Sequence, residues 1–466
     1  MERLTATDAA FLAMETPTMH LHVMGVLVLD PSTAPEDLTL DRLETLFQQR
    51  IHLIPPYRHR FVAVPGQLGH PRRIEDPDFQ LSRHLRHRSL APGAGPADLE
   101  AFVGELAGYP LERDRPLWET WLVDGFADGT VALVSKIHHT IMDGAAGGEV
   151  MAALFDLEPE GEAFDPAPRW SGEGLPHPAR LVAEAGLGTL QRVVGLPGVM
   201  VRTVSGLVAT ARATVGQSGP PVQFAPATPF NGPLTAARSV AFTRCSLDDL
   251  KEIRRAYGTT INDVVLAAAT TSLRRYLLER GFPADRPLVA SVPVALARHD
   301  DDPAFGNHTS NMMVSLPVDL DDPVEALRSI HEDALGAKAV QQAMGPDIMD
   351  DLVGLAPAAL MSAGAHLYSL LGLGRFHPPL FNAIVSNVPG PPIPLYVAGA
   401  RVLATYPMGP LIGSTGLNLT VLSQSGDLDV GVIACPDLVD DVGQVAAGFR
   451  AGIADLLDAA RSEPAV

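Results

Sequence analysis

The segment His138-His139-Thr140-Ile141-Met142-Asp143-Gly144 places two adjacent histidines just ahead of a carboxylate and a glycine. An imidazole titrates near neutrality, which makes it the natural base for taking a proton from an alcohol. Its second ring nitrogen needs a partner to fix the tautomer. Asp143 is one candidate, and it serves equally well as an anchor for the loop through an arginine. Gly144 and the small residues Ala145 to Gly148 permit a tight turn and close backbone approach. Paired histidines also cap turns and bind metals, although neither a paired-cysteine motif nor His-Glu-x-x-His accompanies this pair. Residue types alone leave base, cap and ligand all open.

The element that must position these histidines runs just before them. Val131, Leu133, Ser135 and Ile137 alternate with Ala132, Val134 and Lys136, which is strand periodicity. If that geometry persists to its end, His138 and His139 point to opposite faces, so only one serves a given cavity. A strand near Trp121 leads across Asp128-Gly129 into it as a hairpin.

Further strands are expected at Leu21–Leu29, Pro287–Val294, Met312–Val318, Ala383–Val388, Leu417–Leu422 and Leu428–Ile433. Helices are expected at Asp41–Ile54, Leu99–Leu106, Gly147–Phe155 and Val445–Ala459. Thr260 with Asp263 reads as a capping box opening a helix that runs to Gly281, and Asp322-Pro323 with Glu325 opens another. Polar and proline-rich stretches near 160–180 and 216–235 read as connectors, with two short helices between them over 181–215. The chain thus divides into an N-terminal half (1–180), a helical connector and crossover linker (181–235) and a C-terminal half (236–466). Strands and helices mix in both halves without strict alternation, so a doubly wound nucleotide-binding sheet is not favoured.

Composition narrows the partners. With 34 Lys and Arg against 54 Asp and Glu, the net charge is −20, and no basic run is visible; no nucleic-acid partner is expected. Mean hydropathy is +0.14, at the apolar end of the soluble range. Two cysteines, Cys245 and Cys435, cannot staple a chain this long, which fits a reducing cytoplasm. Met1-Glu2-Arg3-Leu4 does not begin a signal peptide. From Leu352 to Gly374, 23 residues carry no Asp, Glu, Lys or Arg. Pro357, Ser362, His366 and several glycines make a buried or channel-lining helix pair the first expectation. A surface that dips into lipid comes second and a bilayer span third.

The histidine segment matches the His-His-x-x-x-Asp-Gly pattern of CoA-dependent acyltransferases. Its surroundings resemble the bacterial wax ester synthase/diacylglycerol acyltransferase family. The resemblance rests on Leu4 to Leu12 with Glu15 and Met19-His20, Pro116-Leu117-Trp118-Glu119, Asn262-Asp263, Pro293, Gly306-Asn307, Asn387-Val388-Pro389-Gly390-Pro391 and Gly416-Leu417-Asn418, spanning about residues 3–460. Ala145-Ala146 departs from the valine and serine that many relatives carry there.

The resemblance implies a mixed α/β fold of two chloramphenicol-acetyltransferase-like halves, each a mixed sheet flanked by helices, with a channel between them. It implies transfer of a long acyl chain from acyl-CoA, a donor substrate rather than a resident cofactor, to diacylglycerol or a long-chain alcohol. His139 is the implied general base and His138 its support. Asp143 and Gly144 would shape the loop, and Asn262 would orient the acceptor, stabilise the oxyanion or cap its own helix. Pro116 and Trp118 would pack the wall, and Asn387 to Pro391 would form a loop closing the channel. Peripheral attachment to the inner membrane or to lipid inclusions follows from the same likeness. A carrier-protein-dependent polyketide or glycolipid acyltransferase and a non-catalytic lipid-binding protein are the competing readings.

Overall fold

Two six-stranded sheets carry the chain in this computed structural model, which describes residues 2–141, 146–161, 172, 174–185, 225–295, 309–344 and 358–462. The strands are β1 (Glu2–Arg3), β2 (His22–Asp30), β3 (His59–Val62), β4 (Arg72–Glu75), β5 (Leu85–Ala94), β6 (Trp118–Phe126), β7 (Val131–His138), β8 (Ser239–Ser246), β9 (Leu288–Ala295), β10 (Thr309–Leu316), β11 (Ala383–Pro389), β12 (Tyr396–Val397), β13 (Ala400–Met408), β14 (Leu417–Gln424) and β15 (Asp427–Ala434). The helices are α1 (Ala6–Met14), α2 (Leu40–Arg50), α3 (Pro96–Ala107), α4 (Ala146–Leu154), α5 (Leu247–Tyr257), α6 (Ile261–Glu279), α7 (Pro323–Met344), α8 (Ala358–Leu370) and α9 (Val442–Ser462).

The first sheet runs β12-β13-β2-β7-β6-β5 and the second β10-β9-β11-β14-β15-β8; β1, β4 and β3 form a small third sheet. Both large sheets are mixed. In the first, β5 lies parallel to β6 and the other pairs are antiparallel; in the second, β11 lies parallel to both β9 and β14. The mixed α/β class and the two sheet-bearing halves agree with the sequence reading.

Local signals account for most elements. The Thr260–Asp263 capping box forms in both directions, with Asp263 accepting from the Thr260 backbone N–H at 2.8 Å and its own N–H donating to Thr260 Oγ1 at 3.2 Å. In α9, Val442, Val445, Ala446, Phe449, Ile453, Leu456 and Leu457 recur at helical spacing and are all buried. The expected helix from Asp41 ends at Arg50, where the chain tightens into a 3₁₀ turn over Ile51–Leu53. Arg50 turns inward there to meet Asp156 at 2.6 Å, with both side chains buried.

One segment crosses the expected division into 1–180, 181–235 and 236–466. Strands β12 and β13 come late in the chain yet join the first sheet, β13 pairing antiparallel with β2 from Met408↔Met24 to Arg401↔Asp30. Neither strand was expected, nor was β8. The three largest core clusters among the described residues reflect this exchange. One cluster packs the second sheet against α6, α7 and α9, and another packs the first sheet against α2. The third lies between the halves, joining Met24, Val103 and Val134 to Val240, Met408 and Ile433.

The charge-free stretch at 352–374 also departs from the first expectation. Its described part forms α8 and the turn after it, and Leu360, Leu367, Leu370 and Leu371 are exposed rather than buried. Residues 352–357 and 186–224, the latter holding most of the stretch where the two connector helices were expected, lie outside the described residues. Among the described residues, no helix is long and apolar enough to cross a membrane.

Candidate active site

Strand β7 ends at His138, held between two neighbours. On one side His22 lies opposite it in β2. On the other, Trp118 of β6 pairs with Ile137, and the His138 N–H donates to the Leu117 carbonyl at 3.0 Å. The Pro116–Trp118 block is thus brought directly against the histidines. Trp118 is buried in an aromatic stack with Phe47, Tyr57 and His84, and its indole N–H donates to the Tyr57 carbonyl at 2.8 Å. It packs the wall, and Pro116 is buried beside it.

The two histidines have separate surroundings. His138 is 1% exposed. Its Nδ1 accepts the Thr140 backbone N–H at 3.1 Å, so in the neutral ring Nε2 carries the proton. That nitrogen faces Glu15 Oε2 at 3.5 Å, a contact governed by charge rather than by a full hydrogen bond. His139 is half-buried, its ring stacked on Phe11 of α1 with centroids 4.4 Å apart. Its backbone N–H donates to the Leu21 carbonyl at 2.9 Å. Thr140 Oγ1 donates to the Asp8 carbonyl at 2.7 Å, tying the turn to the same helix.

Leu21 holds that carbonyl in place with a left-handed backbone, φ +54°, although it is not glycine. Such a conformation costs about 1–3 kcal/mol and persists only where the surroundings over-determine it. Here its side chain is 1% exposed, and His20 and His22 flank it.

Behind His138 lies a buried polar tract. His22 meets His138 edge-on at 6.1 Å and stacks with His20 at 5.5 Å, and His20 Nε2 contacts the Gly108 carbonyl at 3.0 Å. Lys136, 1% exposed, donates to the carbonyls of Leu106 and Tyr109 and pairs with Glu119 at 2.8 Å. Burial is the largest influence on His20, His22 and His138 and pushes all three below the ordinary histidine range; for His138, Glu15 partly opposes it. Burial would raise the Glu15 carboxyl, but His138 and Arg113 beside it hold it below its usual range. The result is a neutral imidazole set behind His139, facing a carboxylate that stays charged. Glu15, His22 and Arg113 are the members that reading the motif alone did not single out for the site. The Glu15 block was visible in the sequence, but nothing local linked it to a histidine more than a hundred residues away.

The other expected residues divide. Asp143 and Gly144 lie outside the described residues. Asn262 is half-buried at the start of α6 in the second half, with no described contact to His139. Its side chain makes no hydrogen bond among the described residues, and Thr260 and Asp263 cap the helix instead. Asp263 also receives His331 Nδ1 at 2.7 Å. The capping alternative for Asn262 therefore fails.

Asn387 to Pro389 do not form a loop. They are the end of β11, paired in parallel with Val421 to Ser423, and the amide of Gly390 still reaches Ser423 Oγ at 3.4 Å. The apolar run Ala383 to Val388 continues as strand through Asn387, because the adjacent β14 supplies its hydrogen bonds. One groove of about 440 Å³ lies elsewhere, between α3, β8 and α9, lined by Glu100, Phe242 and Arg450.

Comparison with known proteins gives concordant results. Residues 4–265 match the wax ester synthase/diacylglycerol acyltransferase catalytic domain, and residues 305–456 match the C-terminal domain of the same proteins. A Mycobacterium tuberculosis protein whose name gives diacylglycerol O-acyltransferase as an inferred activity is 38% identical, over 100% of this chain and 92% of its own. Another from that species, similarly named, is 34% identical over 99% and 96%. Among solved structures, the wax ester synthase/diacylglycerol acyltransferase of Marinobacter aquaeolei VT8 is similar with a TM-score of 0.72 and 27% identity, covering 99% of this chain and 100% of that one. The first condensation domain of the calcium-dependent antibiotic synthetase shares the fold, with a TM-score of 0.61 at 17% identity, over 100% and 97%.

Proposed function

The chain belongs to the wax ester synthase/diacylglycerol acyltransferase family, and on that premise we propose that it moves a long acyl chain from acyl-CoA to diacylglycerol, making triacylglycerol. A fatty alcohol is the second acceptor, giving a wax ester. The observation that carries the reading is the arrangement of the two histidines. His139 is half-buried on Phe11, while the fully buried His138 stands behind it facing Glu15.

In this reaction His139 takes the proton of the acceptor hydroxyl as its oxygen attacks the thioester carbonyl. The new C–O bond forms a tetrahedral intermediate whose oxyanion needs donors. The C–S bond then breaks, and the CoA sulfur leaves with the proton that His139 holds. His138, neutral and pinned by Thr140, positions the backbone of the base. Asp143 and Gly144 shape the loop, and Asn262, with its amide uncommitted, is the proposed acceptor or oxyanion contact. A covalent acyl-enzyme is not required. Both cysteines are buried, and burial pushes the Cys245 thiol up to about 11, far from a reactive thiolate.

The test is direct. Purified protein given long-chain acyl-CoA and diacylglycerol should produce triacylglycerol and free CoA in equal amounts. His139→Ala should lose that turnover while keeping its fold; unchanged turnover would overturn the base assignment. Supplying the acyl group on a carrier protein instead of CoA separates this reaction from carrier-dependent transfer.

A further inference from the structure

We propose that the exposed face of α8 and the turn that follows it, residues 360–380, docks on a phospholipid surface. Leu360, Leu367 and Leu370 recur at helical spacing on one side of α8, and Leu371, Phe376 and Leu380 extend the same patch. Leu370 is 83% exposed and Phe376 73%. A water-soluble protein seldom leaves so many large apolar side chains together without something to cover them.

Charge indicates what covers them. From 352 to 426 the chain has no Asp or Glu, although the whole protein carries 54. The segment that forms this face therefore brings no carboxylate of its own to repel phosphate headgroups. The polar groups that do border the patch are Arg375, which is exposed, and the hydrogen-bonded pair Tyr368 Oη and His377 Nε2 at 2.7 Å. Leucines rimmed by the tyrosine, histidine and arginine of a segment that has no Asp or Glu match a surface half in lipid and half in water.

Position gives the face a use. Helix α8 also packs on the N-terminal segment, where Ser369 Oγ and Thr18 Oγ1 lie 2.8 Å apart, and it contacts α1. Helix α1 carries Phe11, which stacks on His139. The patch thus lies on the helix that packs against the one supporting the base. Delivery of a lipid-dissolved acceptor from the patch to the base rests on the proposed reaction; the docking itself does not.

Flotation of the full chain with vesicles of phosphatidylcholine and phosphatidylglycerol tests the docking without turnover. The wild-type chain should float and stay bound in high salt. The double variant Leu367→Glu/Leu370→Glu should lose roughly ten-fold or more of the bound fraction. Phe376→Glu should lose binding in the same direction, and Leu278→Glu, an exposed leucine on α6, should float like wild type. Retained thermal melting of the variants checks their folding. His139→Ala should float like wild type, so a failure of catalysis and a failure of docking read out separately. Wild-type protein that stays with the dense fraction, or a double variant that floats undiminished, would overturn the proposal. So would self-association of the wild type that the double variant abolishes, since a second copy would then be the occupant.

Discussion

The two halves have sheets of equal size but unlike interiors. Strands β2 and β7 of the first sheet bury His22, Lys136 and His138 at their ends, beside His20 and Glu15, with Leu21 held in a left-handed backbone. Strands β9, β11 and β14 of the second sheet bury Leu288, Ala290, Val292, Val385, Leu419 and Val421 against α6, α7 and α9. The described histidines of the second half, His331, His366 and His377, are half-buried or exposed. Buried histidine and lysine are thus concentrated where the base sits, whereas the polar groups buried in the second sheet are amides, hydroxyls and a carboxylate, among them Asn418, Thr420 and Asp429. An unpaired buried polar group costs far more than an apolar one, so a chain accumulates them only where neighbours or chemistry compensate.

The comparison predicts opposite outcomes for substitutions in the two halves. The largest effect is His139→Ala, which should lower kcat by about 100- to 10,000-fold with little change in melting temperature. Leu273→Ala in α6, 0% exposed in the apolar core of the second half, should do the reverse. It should cost about 2–5 kcal/mol in denaturant unfolding while the folded fraction keeps its kcat. Equal activity losses in both variants would break the contrast.

Acid should separate the halves next. Burial is the main cause that pushes His84, stacked on Trp118, from 6.5 down to about 4, against the opposing contact of its Nδ1 with the Trp118 carbonyl. Between those pH values the unfolded chain holds a proton that the folded chain does not, so stability rises with pH. It is complete above 6.5 and is lost as pH falls through about 4. The loss from His84 alone is at most about 3 kcal/mol. His20, His22 and His138 shift in the same direction. Hydrogen exchange on acidification should therefore lose protection first in β2, β6 and β7, and last in β9 and β14. Simultaneous loss would mean that the two sheets open as one unit.

The smallest predicted effect probes their junction. Gly431 of β15 lies so close to β13 that an added Cβ would collide with the Pro407 carbonyl. Gly431→Ala should cost about 1–3 kcal/mol by lifting the donated strand from its neighbour. An unaffected melting temperature would show that β13 is held mainly by β2.

Much of the site was legible because its signals are local. The His-His-x-x-x-Asp-Gly segment follows a strand whose alternation is plain from Val131 to Ile137, and that alternation separates the surroundings of His138 and His139. The Pro-Leu-Trp block leads into the strand beside it, which begins at Trp118. The capping box at Thr260 was equally plain, because each partner is three residues from the other. Asn387 fell in both the expected strand Ala383–Val388 and the expected loop Asn387–Pro391, and the strand extends to Pro389, so the loop was set too early because proline and glycine follow at once. The pairing with Val421 that keeps Asn387 in a strand comes from a segment more than thirty residues later.

The sequence by itself therefore determined the chemistry available, the elements on either side of it, and the mixed α/β class, since periodicity and capping act over a few residues. Only the tertiary structure brought Glu15 to face His138, set Phe11 against His139, and carried Ala400–Met408 back to complete the first sheet. Those contacts join positions one hundred to nearly four hundred residues apart. No local pattern encodes such a distance; it is decided by which surfaces can be buried together once the whole chain has collapsed.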